Sequence, residues 1–112
     1  ALLARAFENI VSNAIRFSPE GGEIRIAAAR EDGDPGRFLL VDDQGPGIAP
    51  GDRERVFEPF FRSAQPADSS GSGLGLYIAM SVISGHGWDI RAEESPEGGG
   101  RIRIRIPSSA SR

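Results

Sequence analysis

Neither cysteine nor lysine occurs anywhere in this chain. Without cysteine there is no disulfide framework and no thiolate metal site. Without lysine, a phosphate loop of the Walker type is excluded, because its Lys must reach the phosphates. A protein-kinase site with its strand Lys is excluded as well. All 13 basic residues are therefore Arg, and the formal net charge is −3. That balance argues against nucleic acid as the main partner. No run of about 18 apolar residues is present, so no segment reads as a membrane-spanning helix. Threonine is missing too, and His, Trp, Tyr and Met occur once each.

What is present fits one globular domain of 112 residues, with 38% hydrophobic and 26% charged residues. The only two asparagines, Asn9 and Asn13, stand in the first helical pattern, residues 1–17. At about 100° per residue, Leu3, Phe7, Ile10, Val11 and Ala14 share one apolar arc. Asn9, Asn13 and Arg16 fall in a separate band of roughly 60°. Asn competes with the helix backbone for hydrogen bonds. Two of them one turn apart, with Arg beyond, make a row of polar ligands pointing one way. Because the chain opens directly in this pattern, it is expected to be part of a longer protein.

Ser18, Pro19, Gly21 and Gly22 stop the helix. Residues 23–30 alternate, with Ile24, Ile26 and Ala28 on one face, and read as a strand. Turn residues fill 31–36. Residues 37–41 read as a strand buried on both faces and paired with the first as a hairpin. This strand delivers Asp42 and Asp43 into a loop containing Gly45, Pro46 and Gly47, where glycine permits close backbone approach. Residues 50–56 read as a short helix with Pro near its start. Phe57, Phe60 and Phe61 crowd five positions around Pro59, which indicates a loop pinned to the core. Residues 63–72 lack a large apolar anchor and have the layout of a mobile lid. Gly71, Gly73 and Gly75 open a second helix running to about Gly85. Its exposed N–H groups lie at the positive end of the helix dipole, where phosphate binds. Leu74, Tyr77, Ile78, Met80 and Val82 are expected on its buried face. His86, between Gly85 and Gly87, reads as a helix-end residue. Residues 88–93 and 101–106 are alternating strands. Arg101, Arg103 and Arg105 share an outer face, where Asp89 and Glu93 are candidate partners.

Four motifs thus stand in order: N-x-x-x-N-x-x-R, D-x-G-x-G, F-x-P-F-F and G-x-G-x-G. Together they resemble the catalytic and ATP-binding domain of bacterial sensor histidine kinases. This domain belongs to a wider ATPase fold shared with gyrase, mismatch-repair and heat-shock chaperone proteins. The resemblance implies an α/β (α+β) two-layer sandwich with a mixed, mostly antiparallel sheet and helices on one face. The domain would span residues 1–107, with a polar tail at 108–112. ATP and Mg²⁺ are the implied cofactors. Asp43 would accept a hydrogen bond from the adenine amino group, with Gly45, Gly47 and Ile48 beside the base and Phe17 near the ribose. Asn9 and Asn13 would hold Mg²⁺. Arg16 would face the phosphates, and Arg62 joins Asn9, Asn13 and Arg16 in the catalytic set. Gly71, Gly73, Leu74, Gly75 and Leu76 would border the phosphates. The implied partners are a histidine-bearing helical dimerisation domain and a response regulator, in a homodimeric parent anchored in the bacterial inner membrane with this domain in the cytoplasm. One departure is visible: Gly99-Gly100-Arg101 stands where the family has Gly-Thr, so a hydroxyl expected to support Asp43 is missing.

Two other readings follow from the same residues. A clamp ATPase of this fold would place Glu at position 9 to activate water, and Asn9 stands there. A degenerate module that only binds a partner would have no need of Asn13, Asp43 and the paired glycines.

Overall fold

The computed structural model describes residues 1–61 and 73–108. Helix α1 (Leu2–Phe17) is followed by strands β1 (Arg25–Glu31) and β2 (Asp34–Asp42). Two 3-10 turns, Pro50–Asp52 and Arg55–Phe57, stand where a short helix was expected. Helix α2 (Gly75–Gly85) and strands β3 (Asp89–Glu94) and β4 (Gly100–Ile106) complete the chain. The strands form one sheet in the order β1-β2-β4-β3, with all three pairings antiparallel. The two helices pack against each other and, with the sheet, enclose the core. This is the expected two-layer α/β sandwich.

In α1, Ala6, Ile10 and Ala14 are buried, with Leu3 and Phe7 packed alongside. The sequence pattern missed Ala6, whose small side chain admits close helix packing. Ser18 leaves the helix in an extended conformation, and its N–H still bonds the Ala14 and Ile15 carbonyls. The buried stripe of α2 differs from expectation. Leu76, Ala79 and Ile83 are buried, Met80 and Val82 are partly so, and Tyr77 and Ile78 are each 38% exposed. The segment is apolar almost all round, so its periodicity does not choose a face; packing against α1 does. His86 caps the helix as expected, its Nδ1 lying 2.8 Å from the Val82 carbonyl oxygen.

Strand β1 is the sheet edge, and Ile26 is 60% exposed rather than buried. Strand β2 carries Val41 into the core and Phe38 onto the opposite face, where the Arg103 guanidinium covers its ring at 4.4 Å. Both faces of β2 are thus covered, as expected. On that outer face the arginine row finds its main partners in β2. Arg101 forms a fork on Asp42 at 2.7 and 2.9 Å, and Arg105 one on Asp34 at 2.8 and 2.6 Å. Arg103 bonds Glu93 at 3.3 Å and also pairs with Glu31. Asp89 instead bonds Arg91 of its own strand at 2.9 Å. Register alone does not choose between these partners, because Arg101 lies opposite both Asp42 and Glu93, and Arg105 lies opposite Asp89.

The bond from Arg105, reinforced by the Gly36 N–H, lowers the Asp34 carboxyl from 3.8 to about 2. A folded value below the unfolded one stabilises the fold above the unfolded value, and the gain disappears as pH falls through the folded value. Asp34→Asn is therefore expected to lower urea stability at pH 7, with the gap from wild type closing as pH drops from about 4 to about 2. A gap of constant size across that range would show that the ion pair does not carry this effect.

Candidate nucleotide site

A cleft of about 560 Å³ opens between α1, the loop after β2 and the start of α2. Its volume lies within the range of small-ligand sites, roughly 300–1,000 Å³. Among the sequence-expected residues, Asn13, Arg16, Phe17, Asp43, Gly47, Ile48, Gly73, Gly75 and Leu76 line it. Asn9, Gly45 and Leu74 do not. Asn9 stands beside the mouth, since a Cβ placed on Gly75 would lie 3.9 Å from its own. Gly45 lies behind Asp43 and holds it. Arg62, Gly71 and the proposed lid at 63–72 fall outside the described residues.

The floor of the cleft comes from the core. Val41 and Ile102 face each other across β2 and β4 and line it with Ile10 and Ala14. Val56, Pro50 and Phe61 add an apolar wall. The sequence signal for Val41 was its position two residues before Asp43, on the inward face of the same strand. Phe57 is buried in the core, but Phe60 is 69% exposed. Its φ of 63° turns the side chain outward. The aromatic cluster is therefore only partly pinned. Phe60 N–H bonds the Gly73 carbonyl at 2.8 Å, and a Cβ on Gly73 would sit 2.7 Å from the Phe60 Cα. The anchor and the glycine-rich helix start thus meet backbone to backbone.

Asp43 is held from two sides. Its Oδ1 accepts the N–H of Gly45 at 2.9 Å and that of Gly100 at 3.0 Å. Its own N–H donates to the Gly100 carbonyl at 2.9 Å. The support expected from a missing hydroxyl comes instead from a backbone amide of β4. The loop is wedged between neighbours too close for side chains. A Cβ on Gly45 would lie 2.4 Å from the Phe17 carbonyl oxygen, and one on Gly99 would lie 2.0 Å from the Asp43 carbonyl oxygen. At Gly47, with φ 84°, a Cβ would lie 2.8 Å from the Gly98 carbonyl oxygen. The end of α1 is tied to the same loop, with Gln44 N–H donating to Ser18 Oγ at 3.1 Å.

Also lining the cleft, Arg16 donates from Nη2 to Asn13 Oδ1 at 2.9 Å. The guanidinium lies 5.3 Å from the Phe17 ring centre, and its Nε is buried without a partner. Among the described residues no carboxylate forms an ion pair with Arg16. A partly buried cation that forms no ion pair among the described residues suits an anionic ligand. The cleft thus offers two kinds of chemistry: a hydrogen-bond acceptor at Asp43 and a cation at Arg16. A second depression, lined by Glu23, Arg25, Asp42, Asp43, Gln44 and Glu97, holds only about 40 Å³ and is too small for a nucleotide.

Residues 1–110 match the family described as histidine kinase-, DNA gyrase B-, and HSP90-like ATPase. The chain belongs to this family. Within it, the sensor histidine kinase CpxA of Escherichia coli K12 is 44% identical over 108 residues, which are 94% of this chain and 22% of CpxA. A solved structure of the mycobacterial sensor histidine kinase MprB superposes with a TM-score of 0.81 at 42% identity, covering 92% of this chain and 70% of that one. Full-length ShkA, crystallised in complex with AMPPNP, gives 0.75 at 29% identity, over 95% of this chain and 21% of ShkA. The chain corresponds to the catalytic ATPase domain of such enzymes and spans about a fifth of CpxA's length.

The wedged loop makes a test of site construction. Gly99→Ala forces the Asp43 backbone to move and is expected to cost about 1–3 kcal/mol or more, in the range of overpacked cores. Nothing lies within 4 Å of a Cβ on Gly51, so Gly51→Ala is expected to stay within about 0.5 kcal/mol of wild type. Denaturant melts of both variants check this; equal stability of the two would mean that the loop yields freely.

Proposed function

We propose that this domain binds Mg-ATP in the cleft and transfers its γ-phosphoryl group to a histidine on a separate helical dimerisation domain, for onward transfer to a response regulator. The observation that carries the reading is that one cleft is lined both by Asp43, braced by two amides on one oxygen, and by Arg16, whose Nε is buried without a partner. The family and the complex of ShkA with AMPPNP support it.

In this reading the second Asp43 oxygen accepts the adenine amino hydrogen bond. Such charge-assisted bonds contribute about 1.5–3 kcal/mol. Val41, Ile48 and Ile102 exclude water around the base, and Phe17 packs against the ribose. Arg16 offsets phosphate charge, and the amides of Gly73 and Gly75 lie at the positive end of α2. Magnesium fits the donor set. Among the described residues there is no cluster of three His, Cys, Asp or Glu that would make a protein-only site. The metal would be held by Asn13 Oδ1, whose second lone pair is still open beside Arg16, by Asn9 and by the phosphates. When bound, it supplies charge neutralisation for phosphoryl transfer, which otherwise depends mostly on positioning.

The acceptor is supplied from outside this domain. His86 stands at the far end of α2, about 16 Å along the helix from the glycines that face the phosphates, and its Nδ1 is engaged by the Val82 carbonyl. Asn9, in place of Glu, leaves that position without a carboxylate to activate water. A membrane anchor and a dimeric state would belong to the rest of the parent protein; no helix among the described residues is long and apolar enough to cross a membrane.

Incubation with γ-labelled ATP is expected to leave the domain unlabelled and to label the parent's helical domain on His when that is added. Asn13→Ala should slow this transfer at limiting Mg²⁺ and recover partly in excess Mg²⁺. Label on His86, or brisk ATP hydrolysis by the domain alone, would contradict the mechanism.

A further inference from the structure

The β2–β4 ladder ends at the cleft in an irregular way. Asp43 follows the last residue of β2, and its N–H bonds the Gly100 carbonyl at 2.9 Å. In a regular antiparallel pair the return bond would run from the Gly100 N–H to the Asp43 carbonyl. Here the Gly100 N–H goes to Asp43 Oδ1 instead, at 3.0 Å, while the Asp43 carbonyl faces Gly99. The two bonds on Oδ1 differ in origin. The one from Gly45 is local, two residues along the same loop, and does not depend on β4. The one from Gly100 exists only while the ends of β2 and β4 stay together. The last full rung of the ladder is Asp42 opposite Arg101, and there a fork of 2.7 and 2.9 Å joins the strands. The Asp42 and Arg101 side chains are only 10% and 19% exposed, so salt and water screen the fork little. Each member faces another candidate across its other neighbour. Arg25 lies opposite Asp42 on β1 but bonds Glu97 at 2.9 Å. Glu93 lies opposite Arg101 on β3 but bonds Arg103 at 3.3 Å.

We propose that Asp42 and Arg101 are positioning residues for base recognition: their fork clamps the ends of β2 and β4, keeps the Gly100 amide on Asp43 Oδ1, and so sets affinity for the base but not for the phosphates. This rests on the reading of Asp43 as acceptor for the 6-amino group. The fork acts through Gly100 and Asp43. Without it the strand ends fray, and the Asp43 carboxylate keeps only its local bond to Gly45. A carboxylate free to rotate must be ordered again by the ligand, which weakens binding of the base. Asn13 and Arg16 stand on α1, outside these strands, so the phosphates do not feel the loss. The molecule contains its own control. Arg105 and Asp34 form a fork of 2.8 and 2.6 Å between the same two strands, with Asp34 at the opposite end of β2. If such forks only stabilise the sheet, breaking either one has the same consequence for the ligand. If the clamp positions Asp43, only the Asp42–Arg101 fork matters to the base.

The test compares two double variants of the 112-residue chain. One combines Asp42→Asn with Arg101→Met, the other Asp34→Asn with Arg105→Met. Each removes both charges of a fork, so no charge is left buried and unpaired. ATP, GTP and inorganic triphosphate are titrated, and hydrogen exchange of the Gly100 amide is followed by NMR. Wild type is expected to bind ATP about tenfold or more tighter than GTP. The Asp42/Arg101 variant is expected to bind ATP about tenfold more weakly than wild type, to bind triphosphate within about twofold of it, and to exchange the Gly100 amide about tenfold faster. The Asp34/Arg105 variant is expected to keep the wild-type preference for ATP over GTP. Unchanged ATP affinity in the Asp42/Arg101 variant overturns the proposal. So does an equal loss of ATP and triphosphate, or the same loss of base preference in both variants. If wild type binds ATP and GTP equally, the Asp43 reading fails and this proposal falls with it. Should the Asp42/Arg101 variant not fold, Arg101→Lys decides, because it keeps the charge and loses the fork. Weaker ATP binding with unchanged triphosphate binding then supports the clamp, and unchanged ATP binding overturns it.

Discussion

The site depends on close contact between backbones. The loop that follows β2 is pressed between the last carbonyl of α1 and the β3–β4 turn, with Gly45 and Gly99 at the two surfaces. Separations that would put a Cβ 2.0–2.4 Å from a carbonyl oxygen leave no freedom for side chains. The result is that Asp43 has one position. Two amides, one from its own loop and one from Gly100, which is 57 residues from Asp43 in sequence, meet on its Oδ1. A carboxylate held this way loses little freedom when a ligand arrives, which is the benefit of preorganisation.

Everything else around the cleft serves that constraint. The helices pack against each other, with Ala6 and Ala79 buried in the shared core, and α1 presents Asn13 and Arg16 to the cleft that Asp43 borders. The sheet is braced on its outer face by arginine forks on Asp34 and Asp42. Asp42 is buried, and the Asp42–Arg101 fork sits immediately before Asp43 and immediately after Gly100. The ion pair therefore fixes the two strand ends from which the site is built. Its value is in register as much as in energy, since a slip of one residue would move Asp42 to the opposite face.

Much of this was legible in the sequence, and the exceptions have physical causes. The alternating strands, the D-x-G-x-G loop and the first helix announced themselves by period and by turn residues. The face of α2 did not, because Leu76, Tyr77, Ile78, Ala79, Met80, Val82 and Ile83 offer apolar surface in every direction. Three phenylalanines in five positions suggested one anchor, but Phe60 adopts a positive φ and points away from the core. The role of Gly100 was hidden for another reason. A missing threonine hydroxyl suggested a gap beside Asp43, whereas the bond comes from a backbone amide, which every residue except proline carries. Arginine partners were sought on β3, and Glu93 does bond Arg103, but Arg101 and Arg105 fork onto Asp42 and Asp34 of β2. Cross-strand neighbours follow from strand order, and strand order is not written in local pattern.

The central claim is that Asp43 and its two supporting amides form the base end of an adenine-nucleotide cleft. Amide chemical-shift mapping of the labelled domain with Mg-ATP and, separately, Mg-GTP tests it most directly. The account predicts that the N–H resonances of Gly45 and Gly100 and the side-chain amide of Asn13 move with ATP, while GTP moves at most the Asn13 end. If ATP leaves Gly45 and Gly100 unmoved, or shifts residues of the outer sheet face around Arg103 instead, the account is contradicted.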